Sequence, residues 1–309
     1  MDKKILIIGA AGQIGSELVP ALQARYGIDS TVALAWPELP AVREGVWELL
    51  EMSDTAKLEK IIQDYNIGTV YHLVSLLSAK GEQDPALTWQ VNIGGLKSVL
   101  DLAVKHKLKV FWPSSIATFG PTTPHDNTPQ RTVLEPTTMY GVTKTAGELL
   151  CQYYHVKYGL DIRSIRYPGI ISAKTHPGGG TTDYAVAIFY AALKDGKYTC
   201  YLKPDTMLPM MYMDDAIRAT LELMDADPAR LTVRTSYNLA AISFTPEEIA
   251  AEISKRIPLA VTYEPDARQA IADSWPNSID DSVARTDWGW KHEIDLPRMC
   301  DLMVGHLKK

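Results

Sequence analysis

Cysteine is scarce in this 309-residue chain: Cys151, Cys200 and Cys300 stand far apart, with no Cys-x-x-Cys spacing. That pattern argues against a disulfide framework or a thiolate zinc site and suits a reducing compartment. No apolar run approaches the ~20 residues that a membrane-spanning helix needs. Met1-Asp2-Lys3-Lys4 followed by apolar residues 5–8 superficially resembles a secretion signal. Its apolar core is too short and runs straight into Gly9, so it reads as a buried strand. A cytoplasmic protein is expected. Basic clusters are missing too: Lys and Arg are scattered and the formal charge is −6, which gives no electrostatic reason for nucleic acid or an anionic membrane. None of the seven histidines pairs with carboxylates at metal-ligand spacing, so no metal is expected. Repeats and low-complexity tracts are also absent. What remains is ordinary globular composition, 46% hydrophobic and 22% charged, in a chain expected to bind a small molecule.

Short β-branched runs alternate with amphipathic stretches through the first half. Strands are expected at 4–8, 31–35, 69–74, 109–113 and 161–167, and helices at 13–25, 54–64, 86–106 and 140–158. Ser53 or Asp54 is placed to cap the second helix, and Gly159 to close the fourth. This alternation predicts a Rossmann-type α/β fold, a doubly wound parallel sheet covered on both faces. Ligands then bind at the carboxyl ends of the strands. Beyond Pro168 the texture changes: Pro177-Gly178-Gly179-Gly180 is a loop, a helix is expected at 183–194, and Pro-bounded, less regular segments follow. The expected division is a dinucleotide-binding domain over 1–170, rejoined by part of 205–235, and a smaller C-terminal α/β substrate-binding cap over 171–309.

Gly9-Ala10-Ala11-Gly12-Gln13-Ile14-Gly15 follows the first strand and opens a helix. Small residues permit a tight turn and close approach of a pyrophosphate, which the free N–H groups and positive end of the helix then face. A Gly-rich turn without ligand is the plainer alternative. An acid some 20 residues on usually accepts the ribose hydroxyls, but the second strand ends here in Trp36-Pro37-Glu38. Trp36 can stack on adenine and Glu38 can reach the ribose after a turn, or ribose recognition has been lost. No Arg stands at the strand end to receive a 2′-phosphate, which puts NAD ahead of NADP.

Tyr140 and Lys144 lie four apart on an expected helix, hence one above the other on one face. An ammonium beneath a phenol favours the phenolate. Use of Tyr as a base near neutrality requires about 4 kcal/mol of such stabilisation. The same spacing arises by chance on solvated helices, so the context decides. Ser115 follows the strand at 109–113, at the carboxyl edge, where a hydroxyl can bond a reacting oxygen while Tyr140 exchanges its proton; for an isolated Ser114-Ser115 pair, a strand-end turn would be the simpler reading. Thr181-Thr182-Asp183 after the glycines offers hydroxyls and a carboxylate to an amino acid, with helix capping as the alternative. Asp214-Asp215 reads as a helix cap, Trp275 as core more than ligand, and His72 as a satisfied core residue. Asn92 lies within the long helix and, if buried, must find partners.

Taken together, Gly9-x-x-Gly12-x-x-Gly15, Asn92, Ser115, Tyr140-x-x-x-Lys144 and Arg166-Tyr167-Pro168-Gly169 resemble the extended short-chain dehydrogenase/reductase family. Leu77-Ser78-Ala79-Lys80, Pro113-Ser114-Ser115-Ile116, Gly180-Thr181-Thr182-Asp183-Tyr184 and Ser274-Trp275-Pro276 look closer still to its threonine-dehydrogenase branch. Members of that branch carry Asp where this chain has Trp36, and Asp is usual at Glu51. The resemblance implies catalysis by Ser115, Tyr140 and Lys144, with Asn92 arranging the lysine through water. It implies NAD contacts from Gly9, Gly12, Gln13, Ile14, Gly15, Trp36, Glu51, Met52, Leu73, Tyr140, Lys144, Tyr167, Pro168 and Ile170. Substrate contacts are expected from Ser78, Ser115, Tyr140, Thr181, Thr182, Asp183 and Trp275, with L-threonine as substrate. A homodimer is implied as well, through the helices at 86–106 and 140–158. Two rivals use the same residues: a nucleotide-sugar epimerase or dehydratase, and a non-catalytic dinucleotide sensor motivated by Trp36. The cap shows no obvious Arg cluster for a sugar diphosphate, and the intact Ser115, Tyr140 and Lys144 argue against a sensor.

Overall fold

The computed structural model describes residues 3–308; Met1 and Asp2, which head the signal-like segment, and Lys309 lie outside them. The first half runs β1 (Lys4–Ile8), α1 (Gly15–Tyr26), β2 (Thr31–Ala35), β3 (Val46–Leu49), α2 (Thr55–Asp64) and β4 (Ile67–His72). It continues through α3 (Ser78–Gly81), α4 (Pro85–Trp89), α5 (Gly95–His106), β5 (Lys109–Ser115), α6 (Met139–Tyr158) and β6 (Ile162–Tyr167). Beyond these come β7 (Gly169–Ile171), α7 (Tyr184–Asp195), β8 (Lys197–Cys200), β9 (Leu208–Tyr212) and α8 (Met213–Asp225). β10 (Tyr237–Asn238), β11 (Ile242–Phe244), α9 (Pro246–Ser254) and β12 (Ala260–Tyr263) follow.

Seven parallel strands form the central sheet in the order β3-β2-β1-β4-β5-β6-β10. β1 shows why both faces are covered. Leu6 and Ile8 pack into one layer with Val32, Leu34 and Val70, while Ile7 packs into the other with Ala33, Tyr71 and Phe111. A strand that is apolar on both sides needs helices on both sides. Each such buried Leu or Ile contributes roughly 1.5–3 kcal/mol. A third apolar cluster, around Tyr184, Phe189, Met210 and Phe244, belongs to the later elements, where β11-β9-β7 and β12-β8 make two small sheets. The division is not linear in sequence: α8 packs beside α1 and β6, and β10 closes one edge of the central sheet.

Several elements differ from expectation. The edge strand β3 escapes notice because it is four residues long, half-buried and carries a Glu. α1 begins at Gly15 because Gly12 to Ile14 complete the glycine turn. The strand expected at 69–74 sits two residues earlier. The long helix at 86–106 is broken by a five-residue π-helical segment, Gln90–Gly94. Asp54 is the cap of α2, accepting from the Lys57 N–H at 2.9 Å. Asp214 and Asp215 do not cap α8, because Tyr212 holds that position. Buried Asp215 instead accepts from the Glu293 and Ile294 N–H groups and pairs with Arg218. Among the described residues no helix is long and apolar enough to cross a membrane.

Candidate active site

At the carboxyl ends of β1, β4, β5 and β6 lies a cleft of about 290 Å³. Its floor is the glycine turn. Gly9 sits at φ +86°, and a Cβ on Gly15 would come within 2.7 Å of Ala10 Cα, so the turn closes only around glycine. Ile14 provides no side-chain cap for α1. The first N–H groups of a helix without such a cap suit an anion. Gln13 ties this turn to β7 through Nε2 to the Ile170 carbonyl at 3.4 Å. A backbone cradle of this kind, with no side chain in the way, fits the pyrophosphate of a dinucleotide.

Tyr140 and Lys144 enter from the first turns of α6, which Thr138 caps by accepting from the Gly141 N–H at 3.1 Å. Lys144 is buried, and its Nζ donates to the Pro113 carbonyl at 2.6 Å and lies 5.4 Å from the centre of the Tyr140 ring. Tyr140 and Ser115 line the cleft together. Burial dominates both titrations. It pushes the Tyr140 phenol up to about 12 against the opposing pull of Ser115, and the Lys144 ammonium down to about 7. The protein's own groups thus favour the neutral forms of both.

The two serines have different partners. Ser114 donates to buried Glu148 at 2.6 Å, Ser115 Oγ accepts from the Ala117 N–H at 3.2 Å, and both line the cleft. Glu148 accepts two bonds from Arg166, Nε at 2.8 Å and Nη2 at 2.6 Å, and Arg166 reaches on to Asn238 and Gln130. This buried clamp fixes α6 against β5, β6 and β10. Nothing short of the fold would reveal Glu148; its place four residues after Lys144, on the same helix face, is the signal available in the sequence.

Most expected residues converge. Gly9, Gly12, Gln13, Ile14, Gly15, Leu73, Tyr167, Pro168 and Ile170 line the cleft, as do Ser78, Ser115, Tyr140, Lys144, Thr181, Thr182, Asp183 and Trp275. Ser75 and Ile116 line it without having been expected. Trp275 is core and lining at once. Trp36, Glu51, Met52 and Asn92 are not among the lining residues. Trp36 is 58% exposed just after β2, Glu51 and Met52 follow β3, and Asn92 sits behind the cleft in the π-helical segment. Asn92 accepts from the Leu76 N–H at 2.8 Å and donates to Thr143, whose hydroxyl bonds the Tyr140 carbonyl. It therefore joins the loop after β4 to the helix that carries Tyr140.

The Asp183 carboxylate accepts the Gly179 and Gly180 N–H groups on Oδ2, each at 2.8 Å, and so ties its own loop while lining the cleft. Thr181 keeps a hydroxyl that is buried against the cleft with no partner among the described residues. One expectation needs correction: His72 is fully buried, yet among the described residues neither ring nitrogen has a partner, so it is not a satisfied core residue. Desolvation, helped by Lys144, lowers its pKa to about 3.

A parallel sheet, a glycine turn at its first helix and a Ser-Tyr-Lys group at the carboxyl edge define a Rossmann-type dinucleotide enzyme of the extended short-chain dehydrogenase/reductase kind. The chain belongs to the NAD dependent epimerase/dehydratase family, which matches residues 5–240. It is 49% identical to an uncharacterized epimerase/dehydratase of Staphylococcus haemolyticus over 99% of this chain and 98% of that one. It is 49% identical to the mitochondrial L-threonine 3-dehydrogenase of Bos taurus, covering 98% of this chain and 82% of the relative. Among solved structures, the holo form of a GalE-like L-threonine dehydrogenase from Cupriavidus necator superposes with TM-score 0.97 at 53% identity, over 98% and 99% of the two chains. A monomeric L-threonine 3-dehydrogenase from a metagenome, in its apo form, gives 0.96 at 48% identity over 98% of each chain.

Proposed function

We propose that this protein oxidises L-threonine at C3 to 2-amino-3-oxobutanoate with NAD. The carrying observation is the meeting of Ser115, Tyr140 and Lys144 in one cleft that joins the glycine turn to the Thr181 loop, in a chain about half identical along its length to L-threonine 3-dehydrogenases. When bound, the nicotinamide supplies the hydride acceptor. Tyr140 Oη takes the proton of the C3 hydroxyl as general base. Ser115 orients the same oxygen; Lys144, in its ammonium form, would offset the burial that favours the neutral phenol and would hold the nicotinamide ribose. Thr181, Thr182 and Ser78 bind the amino-acid end, with Trp275 as the apolar wall. Asn92 positions Tyr140 and Lys144 through Thr143.

In this reading residues 1–170, rejoined by part of 205–235, form the cofactor domain, and the rest of 171–309 the substrate cap. A cytoplasmic location belongs to the same proposal and rests on the three free cysteines. Apolar side chains stand exposed on the helices expected to pair: Leu87 and Trp89 on α4, and Leu149, Tyr153 and Val156 on α6. A homodimer formed through that face covers them.

The test is reduced-nicotinamide absorbance on mixing L-threonine and NAD with the purified chain. Replacement of Tyr140 by Phe should lower kcat by about 10²–10⁴-fold with dinucleotide binding retained. A wild-type rate in that variant sinks the mechanism. Turnover of a nucleotide sugar without net reduction indicates an epimerase, and binding without any turnover indicates a sensor.

A further inference from the structure

The chain departs from its family pattern at the adenosine end of the cleft. β2 ends at Ala35, and exposed Trp36 follows where a carboxylate would accept the ribose 2′-hydroxyl. A carboxylate there also repels a phosphate on that oxygen, so its loss removes a barrier along with a bond. Beside the glycine turn lies a second cavity of about 440 Å³, between α1 and the segment that joins β2 to β3. Ala10, Ala11 and Ser16 form one wall, and Pro40 and Arg43 the other.

Arg43 has the donors for an anion. Its Nη1 donates to the Pro40 carbonyl at 2.7 Å, and among the described residues it makes no ion pair. Four of the five guanidinium N–H groups remain available. Glu44 lines the same cavity and opposes a phosphate, though its backbone carbonyl is occupied by Gln23 and Trp47. The sequence favours NAD because no Arg stands at the end of β2. The parallel pairing of β2 with β3 forces the joining segment back along α1, and this brings Arg43 to the cavity.

We propose that this cavity receives the 2′-phosphate of a phosphorylated nicotinamide dinucleotide, so that the chain takes NADP alongside NAD, with Arg43 as the phosphate ligand. The inference rests on the dinucleotide reading of the glycine turn.

Calorimetric titration of the full chain with NAD, NADP and adenosine 2′,5′-bisphosphate tests it without any turnover. NADP should bind within about tenfold of NAD, and Arg43→Ala should weaken NADP and the bisphosphate by about tenfold or more while NAD changes by less than about twofold. Trp36→Asp should weaken NADP relative to NAD, because it restores both the bond to the ribose hydroxyl and the repulsion of a phosphate there. The proposal is overturned if NAD binds and NADP does not, or if Arg43→Ala leaves NADP unchanged or weakens both dinucleotides equally. Binding of neither dinucleotide overturns this proposal together with the reading of the glycine turn.

Discussion

Burial decides the chemistry of single residues here. Tyr140 and Lys144 are each pushed toward neutrality by desolvation, so spacing alone, which suggests a lysine that lowers the phenol, describes only part of the balance. Thr181 separates binding from stability. Its hydroxyl is buried with no partner among the described residues, so Thr181→Val, which keeps the shape, should leave the melting temperature unchanged or higher and raise the KM for threonine by about tenfold. His72 makes a second case. Its folded pKa of about 3 lies below the ordinary 6.5, so the folded state binds fewer protons at that site than the unfolded chain. The stability of the neutral ring is present above pH 6.5 and is lost as pH falls toward about 3, by up to about 1.4 kcal/mol per pH unit. His72→Leu should flatten that acid limb in urea unfolding measured from pH 7 to 4. An unchanged slope would show that His72 does not carry it.

At the scale of elements, α6 carries the reacting groups and the Glu148–Arg166 clamp holds α6 in place. Removing one partner of a buried pair strands the other, at roughly 3–5 kcal/mol. Glu148→Ala should therefore destabilise the protein by about that amount in chemical unfolding, and a loss below about 1 kcal/mol would mean that the clamp is not structural. The regular elements were legible because their signals are local: β1 is continuous and apolar, Asp54 caps α2, and Gly159 closes α6 in the left-handed region at φ +68°. The cleft lining from Gly9 to Trp275 was legible through the glycine turn, the Tyr-Lys spacing and the family resemblance. Three features were not, and each depends on contacts remote in sequence. β3 is defined by its pairing with β2, the role of Asp215 by backbone groups at Glu293 and Ile294, and the π-helical turn at Asn92 by its bonds to Leu76 and Thr143.

For the whole molecule, α4 and α6 leave several apolar side chains to solvent, with Val156 at 76% exposure. Exposed apolar faces of this kind mark association surfaces. If a dimer forms there, Val156→Glu should shift sedimentation from dimer to monomer. A relative at 48% identity is monomeric, so a wild-type chain that sediments as a monomer would place this protein with that relative. The central claim concerns hydride transfer within the cleft, and L-threonine deuterated at C3 tests it most directly. After incubation with the protein and NAD, mass spectrometry of the reduced nicotinamide should show one deuterium per turnover. Oxidation without deuterium in the nicotinamide, or no threonine-dependent reduction by a chain that binds NAD, would contradict the account.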